Sequence, residues 1–158
     1  MISIIMGSQS DLDTAKEAID LLEKFKVTYE FKVLSAHRTP GDLAGYVKQA
    51  PSRGVKVFIA LAGGAAALAG VIASHTILPV IGVPIETKSL KGLDSLLSTV
   101  QMPAGIPVAS MAIGKAGAKN AALFALEILG VTDKKIHAKL MAYKKEMCNK
   151  IKKIKIKL

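Results

Sequence analysis

Short runs of apolar residues recur along the chain, separated by stretches whose apolar positions are spaced for helices. The runs are Ile2 to Met6, Tyr29 to Leu34, Val55 to Leu61, Val80 to Val83 and Pro107 to Met111, rich in Val and Ile, and each predicts a β-strand. Most are almost continuously apolar, as strands covered on both faces of a parallel sheet are; Tyr29 to Leu34 alternates and suits a more exposed place near a sheet edge. Between the first two, Asp11 to Phe25 sets Leu12, Ala15, Ile19, Leu22 and Phe25 on one helical face. Pro40 falls at the first position of a further helix with Thr39 as its cap, and Ala66 to Ser74, Lys115 to Leu129 and Thr132 to the C-terminus complete the helices. The order βαβαβαβαβα predicts a three-layer α/β sandwich around five parallel strands, flavodoxin-like in strand order, with a long C-terminal helix. Ligands of such sheets bind beyond the carboxyl ends of the strands.

Length and charge refine this picture. The 158 residues suit one domain, with residues 1 to 130 as the α/β body and 131 to 158 as a lysine-rich helix. The formal charge of +10 is concentrated at one end: residues 134 to 158 hold ten lysines and Glu146, a net +9, which leaves the body at +1. In the tail, Ile136, Leu140, Tyr143, Met147 and Ile151 recur at helical spacing, so the lysines read as the solvated face of a packed helix rather than a nucleic-acid arm. Few aromatics and almost no arginine point the same way, and no nucleic-acid partner is expected. The body is charge-poor, 23 of 133 residues, or about 17% where roughly 25% is usual. Together with the apolar stretch from Leu90 to Ile113, this predicts a homo-oligomer. Cys148 is the only cysteine, which excludes a disulfide or a cysteine-based metal site within one chain. No targeting leader and no run long enough to span a bilayer is read, so a cytoplasmic chain without a membrane partner is expected.

The candidate chemistry lies in loops that follow strands. In Gly7-Ser-Gln-Ser-Asp11, Gly7 permits a tight turn, Ser10 is placed to cap the helix that Asp11 begins, and free amides at such a helix start attract phosphate. Taken alone the pentapeptide reads better as an ordinary helix cap; with Asp11 available to accept from ribose hydroxyls, Ser8, Ser10 and Asp11 suggest a ribose phosphate. In Ser35-Ala-His-Arg-Thr-Pro40, Arg38 offers a planar fork for phosphate, and His37 carries the side chain that exchanges protons near neutral pH. His75, ending a helix, and His137, among tail lysines, have structural explanations. The run Leu61-Ala-Gly-Gly-Ala-Ala-Ala67 lets backbone approach a ligand closely, and would equally serve tight packing of a helix on the sheet. No paired acids, metal-ligand cluster or nucleophile with an evident base is apparent, which disfavours metal and covalent mechanisms.

Taken together, Gly-Ser-x-Ser-Asp, Ser-Ala-His-Arg-Thr-Pro, Ala-Gly-Gly-Ala-Ala, Gly-Val-Pro, Gly-x-Asp-Ser-Leu, Gln-Met-Pro-x-Gly-Ile-Pro-Val and Lys-x-x-x-x-Asn-Ala-Ala resemble the N5-carboxyaminoimidazole ribonucleotide mutase family of purine biosynthesis, over residues 2 to about 130. The resemblance implies an isomerase without cofactor or metal. The carboxylate on the exocyclic nitrogen of a phosphorylated aminoimidazole ribonucleotide is released as CO2 in a closed site and recaptured at ring carbon C4. His37 would be the acid and base, and Ser8, Asp11 and Arg38 the substrate-binding positions, with Ser10 and Ser35 completing the phosphate and ribose contacts. Gly63, Gly64 and Ala65 would wall the site, because confinement keeps CO2 at high effective concentration. The family forms octamers with sites between subunits, and the Gln101-Met102-Pro103 loop would close over a neighbour's substrate.

Where this family reads Gly-Gly-Ala-Ala-His-Leu-Pro-Gly, the chain reads Gly63-Gly-Ala-Ala-Ala-Leu-Ala-Gly70, so Ala67 and Ala69 stand in for a histidine and a proline. A sister branch, which carboxylates aminoimidazole ribonucleotide directly, resembles Ser-Ala-His-Lys with a Ser-Asn pair after the third strand; Arg38 and Gly64-Ala65 argue for the mutase branch. The direct carboxylase and a non-catalytic flavodoxin-like binding module are the competing readings.

Overall fold

The computed structural model describes residues 1–156. Its strands are β1 (Ile2–Met6), β2 (Tyr29–Val33), β3 (Val57–Ala62), β4 (Val80–Pro84) and β5 (Ala109–Ser110). The helices are α1 (Leu12–Phe25), α2 (Pro40–Gln49), α3 (Leu68–Ser74), α4 (Leu93–Val100), α5 (Lys115–Gly130) and α6 (Lys134–Lys152). The strands are parallel in the order β2-β1-β3-β4-β5, the flavodoxin-like order expected. The alternating strand, β2, is at an edge and only part-buried, whereas every residue of β1 and β4 is buried.

The pleat divides the core between the two faces. Ile5 of β1 pairs with Ala60 of β3, and with Phe58 they meet Leu43 and Val47 of α2 and Leu68 and Ile72 of α3. Ile4, Ile59 and Ile81, in register with one another, point the opposite way and are fully buried as well. By contact the chain forms two compact units, Met1–Ala125 and Leu126–Leu158. In the second unit α6 begins at Lys134 rather than Thr132, and Asp133 caps it by accepting from the N–H groups of Lys135 and Ile136 at 2.8 and 3.1 Å. The expected stripe on α6 is buried only at Ile136 and Leu140; Met147 and Ile151 are exposed.

Several local expectations are corrected. A 3-10 turn over Gln9–Asp11 precedes α1, and its cap is Ser8, whose hydroxyl accepts the Ser10 N–H at 3.4 Å, so Ser10 is not the cap. Gly7 has no left-handed backbone angle, and a Cβ there would meet only ordinary neighbours at 3.9 Å, so this turn does not depend on glycine. Thr39 makes no capping bond to α2; its hydroxyl is engaged with Ser35. β5 is two residues rather than the run Pro107 to Met111, in keeping with a proline that has no N–H for the ladder. The element order required a helix between β4 and β5, and it is α4, within the apolar stretch that had been assigned to an oligomer surface.

One polar cluster ties the edge strand to the sheet. Glu30 on β2 accepts two bonds from Arg53, at 2.9 and 3.0 Å, and a third from the Tyr46 hydroxyl of α2. Tyr46 also lies 3.0 Å from the hydroxyl of Ser3, a fully buried polar residue of β1. Burial raises the Glu30 carboxyl, but the bonds from Arg53, Tyr46 and Ser3 outweigh it and hold the group below its usual range. Burial, together with the Glu30 carboxylate, pushes Tyr46 up to about 12.

Candidate functional site

The order β2-β1-β3 means that the chain winds one way from β1 to β2 and the other way to β3 and β4. The connections therefore part above β1 and β3 and leave a crevice beyond the strands' carboxyl ends. A cleft of about 440 Å³ occupies this place. The loop after β1 contributes Ser8, Ser10 and Asp11, and that after β2 contributes Ser35, His37 and Arg38. Gly63 and Ala65 to Ala67 follow β3, and Ile85 to Thr87 follow β4.

The Ser35 to Thr39 turn closes on itself. The Thr39 hydroxyl accepts the Ser35 N–H at 3.0 Å and donates to the Ser35 carbonyl at 3.1 Å, while the Ser35 hydroxyl accepts the Arg38 N–H at 3.2 Å. This leaves His37 at the apex, exposed to the cleft. Arg38 folds back so that its guanidinium donates to the Gly7 carbonyl at 2.9 Å and its Nε to Ser35 Oγ at 3.4 Å. Two of the four loops are thus joined by one cation, with guanidinium N–H groups left over for an anion.

Asp11 is 6% exposed, although it lines the cleft. Burial raises its carboxyl above the ordinary value, and the bonds from Ser10 and from the Ser8 backbone only partly offset this. Ser10 Oγ lies 3.0 Å from both Asp11 Oδ1 and Ser8 Oγ, so the three side chains form one hydrogen-bonded row. A carboxylate destabilised by burial gains from any ligand hydroxyl that donates to it.

The glycine loop turns at Gly64, at a φ of +67°, with Ala66 N–H donating to the Gly64 carbonyl at 2.8 Å. Gly63 leaves room against Ile85, whose Cβ would lie 3.5 Å from an added methyl. Eight of the residues singled out from sequence come together in the cleft: Ser8, Ser10, Asp11, Ser35, His37, Arg38, Gly63 and Ala65. Gly64 shapes the loop without lining the cleft, and Met102 packs beside Gly70 of α3, outside it. Ala67, where the resemblance places a histidine, does line it. Sequence reading missed Glu86 and Thr87; their signal was their place just after β4, at the same end of the sheet as the other loops. Thr87 donates to Asp94 at 2.8 Å, which ties that segment to the first turn of α4. Among the described residues no group of three or more His, Cys, Asp or Glu comes together as metal ligands would.

A family model described as AIR carboxylase matches residues 1–150. The chain belongs to the AIR carboxylase family. Relatives named N5-carboxyaminoimidazole ribonucleotide mutase are 58% identical in Pyrococcus horikoshii, over 96% of this chain and 84% of that protein, and 56% identical in Bacillus subtilis, over 89% and 86%. One from Saccharolobus solfataricus is 53% identical over 95% of this chain and 94% of its own length. Among solved structures, PurE of Treponema denticola superposes with a TM-score of 0.87 at 30% identity, covering 95% of this chain and 92% of the other. Membership of the AIR carboxylase family accounts for the co-occurrence of the Ser-Ala-His-Arg loop and the glycine loop in one chain.

Proposed function

We propose that the chain is an isomerase of purine biosynthesis that converts N5-carboxyaminoimidazole ribonucleotide into 4-carboxy-5-aminoimidazole ribonucleotide. The observation that carries this reading is the meeting of His37, the Arg38 guanidinium and the Ser8, Ser10 and Asp11 row with a glycine loop in one cleft. More than half of the residues are shared, over most of the chain, with relatives named for this reaction.

Each group has a task. Arg38 and the hydroxyls of Ser8, Ser10 and Ser35 take the phosphate, and Asp11 accepts from the ribose. His37 gives a proton to the exocyclic nitrogen as the C–N bond of the carbamate breaks and CO2 is formed. C4 of the ring then attacks CO2, and His37 removes the C4 proton to restore aromaticity, so the proton is conserved over the cycle. Gly63 and Ala65 present small groups to the CO2, with Gly64 shaping the loop between them.

Turnover is tested by offering the chain N5-carboxyaminoimidazole ribonucleotide without bicarbonate and, separately, aminoimidazole ribonucleotide with bicarbonate. The expected result is fast conversion of the first and slow or no conversion of the second. Turnover of the second alone would make the chain a direct carboxylase, and binding without either reaction a non-catalytic module.

Asp11 supplies a pH dependence. Because its carboxyl is raised in the folded chain and the ribose needs the charged form, KM should climb as pH falls through the raised value, with kcat less affected. Asp11→Asn should raise KM at neutral pH by about tenfold to a hundredfold, the loss of a charge-assisted bond. A folded-state value raised above the unfolded one means that Asp11 opposes folding once pH exceeds its unfolded pKa, and this cost is absent at lower pH. The same variant should therefore melt no lower than wild type at neutral pH. A pH-independent KM in the wild type would remove Asp11 from the ribose contact.

The proposal extends to a cytoplasmic homo-octamer with sites between subunits. In a single chain Leu93, Leu97 and Val100 form an outward apolar row along α4, each close to half exposed. Met102 follows the same segment and lies outside its own cleft, beside Gly70; in the octamer it would close over a neighbour's. Among the described residues no helix is long and apolar enough to cross a membrane.

A further inference from the structure

The residues that α4 buries most deeply are Ser95 and Thr99, while Leu93, Leu97 and Val100 face outward. An inward hydroxyl needs partners, because a buried polar group left without one costs more than an average hydrogen bond returns. Ser95 has two. Its Oγ donates to the carbonyl of Ile85 at 2.7 Å and accepts the Gly64 N–H at 2.9 Å, and the residue is wholly shielded from solvent. One hydroxyl thus joins α4, the segment leaving β4 and the glycine loop leaving β3. Gly63 and Ala65, on either side of Gly64, line the cleft, as do Ile85, Glu86 and Thr87. Ser95 itself does not touch the cleft; it stands behind the seam where two of its walls meet.

We propose that Ser95 is a positioning residue for the carboxyl transfer, holding the Gly63 to Ala65 wall against the Ile85 to Thr87 segment while CO2 is free in the cleft. This rests on the mutase reading given above. In that reaction the C–N bond breaks, the nitrogen takes a proton from His37, and CO2 has two fates. Either C4 attacks it, forming the C–C bond and returning the C4 proton to His37, or it escapes, leaving aminoimidazole ribonucleotide as a product with one proton consumed. A tie that keeps the wall shut sets the ratio between these fates and leaves substrate affinity nearly untouched. A side chain that merely supported the fold would not move that ratio.

The experiment measures the C4-carboxylated product and free aminoimidazole ribonucleotide together, subtracting the enzyme-free decay of the carbamate. Wild type, Ser95→Ala, Gly64→Ala and Thr99→Val are compared, each checked for folding by circular dichroism. Ser95→Ala should raise the ratio of escaped to rearranged product by about tenfold or more, with KM within about threefold of wild type. Gly64→Ala adds a methyl that meets nothing within 4 Å but resists a φ of +67°, so it should fold, shift the same loop and raise the ratio too. Thr99→Val removes a buried bond of 2.7 Å from Thr99 to the Ser95 carbonyl, loosening α4 without touching the loop, and should leave the ratio as in wild type. An unchanged ratio in folded Ser95→Ala overturns the inference; should that variant not fold, an unchanged ratio in Gly64→Ala does so. An equal rise in Thr99→Val overturns it as well, since the effect would then belong to the helix at large. A wild type that never isomerises the carbamate overturns the mutase reading first, and this inference with it.

Discussion

Replacing His37 by asparagine should lower kcat for the isomerisation by at least a thousandfold while leaving substrate binding within a few-fold. Asparagine keeps a polar side chain of similar reach at the apex of the Ser35 to Thr39 turn, and the turn is held by Ser35 and Thr39 rather than by the imidazole. What it removes is a group that both gives and takes a proton near neutral pH. General acid–base catalysis contributes on the order of 10² to 10⁴ in rate, and here one side chain serves two successive transfers, which places the loss toward the upper end. Steady-state rates and a binding titration with the product on the same preparation separate the two effects. Retention of more than a tenth of wild-type kcat would mean that another group moves the proton. Glu86, the other carboxylate at the cleft beside Asp11, would be the next to replace.

The largest loss of stability should come from Gly117→Ala, a change that looks harmless from sequence because it improves helix propensity. Gly117 lies in the first turns of α5, and a Cβ there would overlap the carbonyl oxygen of Ala112, in the chain just past β5. The obstacle is backbone, so relief requires that the segment or the helix move. Overpacking of this kind costs about 3 kcal/mol, which for a chain of this length lowers Tm by roughly 6–12 °C. Gly45→Ala is the matched control. It lies inside α2, with nothing within 4 Å of the added methyl, and should gain about 0.5–1 kcal/mol. Thermal melts of the two variants against wild type should therefore diverge in sign, and a Gly117→Ala melt within 2 °C of wild type would show that the contact relaxes cheaply.

The parallel sheet was legible because burial on both faces leaves a direct trace, the continuous Val and Ile runs of β1, β3 and β4. The edge position of β2 was legible from its alternation. The loops of the site could be read as far as residue type and position after a strand determine them, which was enough for His37, Arg38 and Asp11. Two kinds of feature escaped. Hydroxyl partners were misplaced at Ser10 and Thr39, because a hydroxyl is satisfied by whichever acceptor folding brings nearest, and for Thr39 that is Ser35. Helix α4 escaped because periodicity reading assumes that apolar residues point inward, and here Ser95 and Thr99 do. Its inner face must be narrow: the Thr99 methyl crowds the backbone at Gly82, where a Cβ would clash with it, and no leucine would fit.

The ends of the sheet bear on how copies of the chain can meet. β5 offers two residues of backbone, too few to seed a sixth strand. At the other end β2 presents Lys32 and Val33 exposed and has Glu30 locked to Arg53 and Tyr46, which leaves a border broken by charge. Neither margin invites another chain to extend the ladder, so the surface left for the proposed assembly is helical, such as the outward row of α4. Partially unfolded copies, too, find no ready template on the native sheet, and concentrated solutions of the folded chain should resist fibrillar growth.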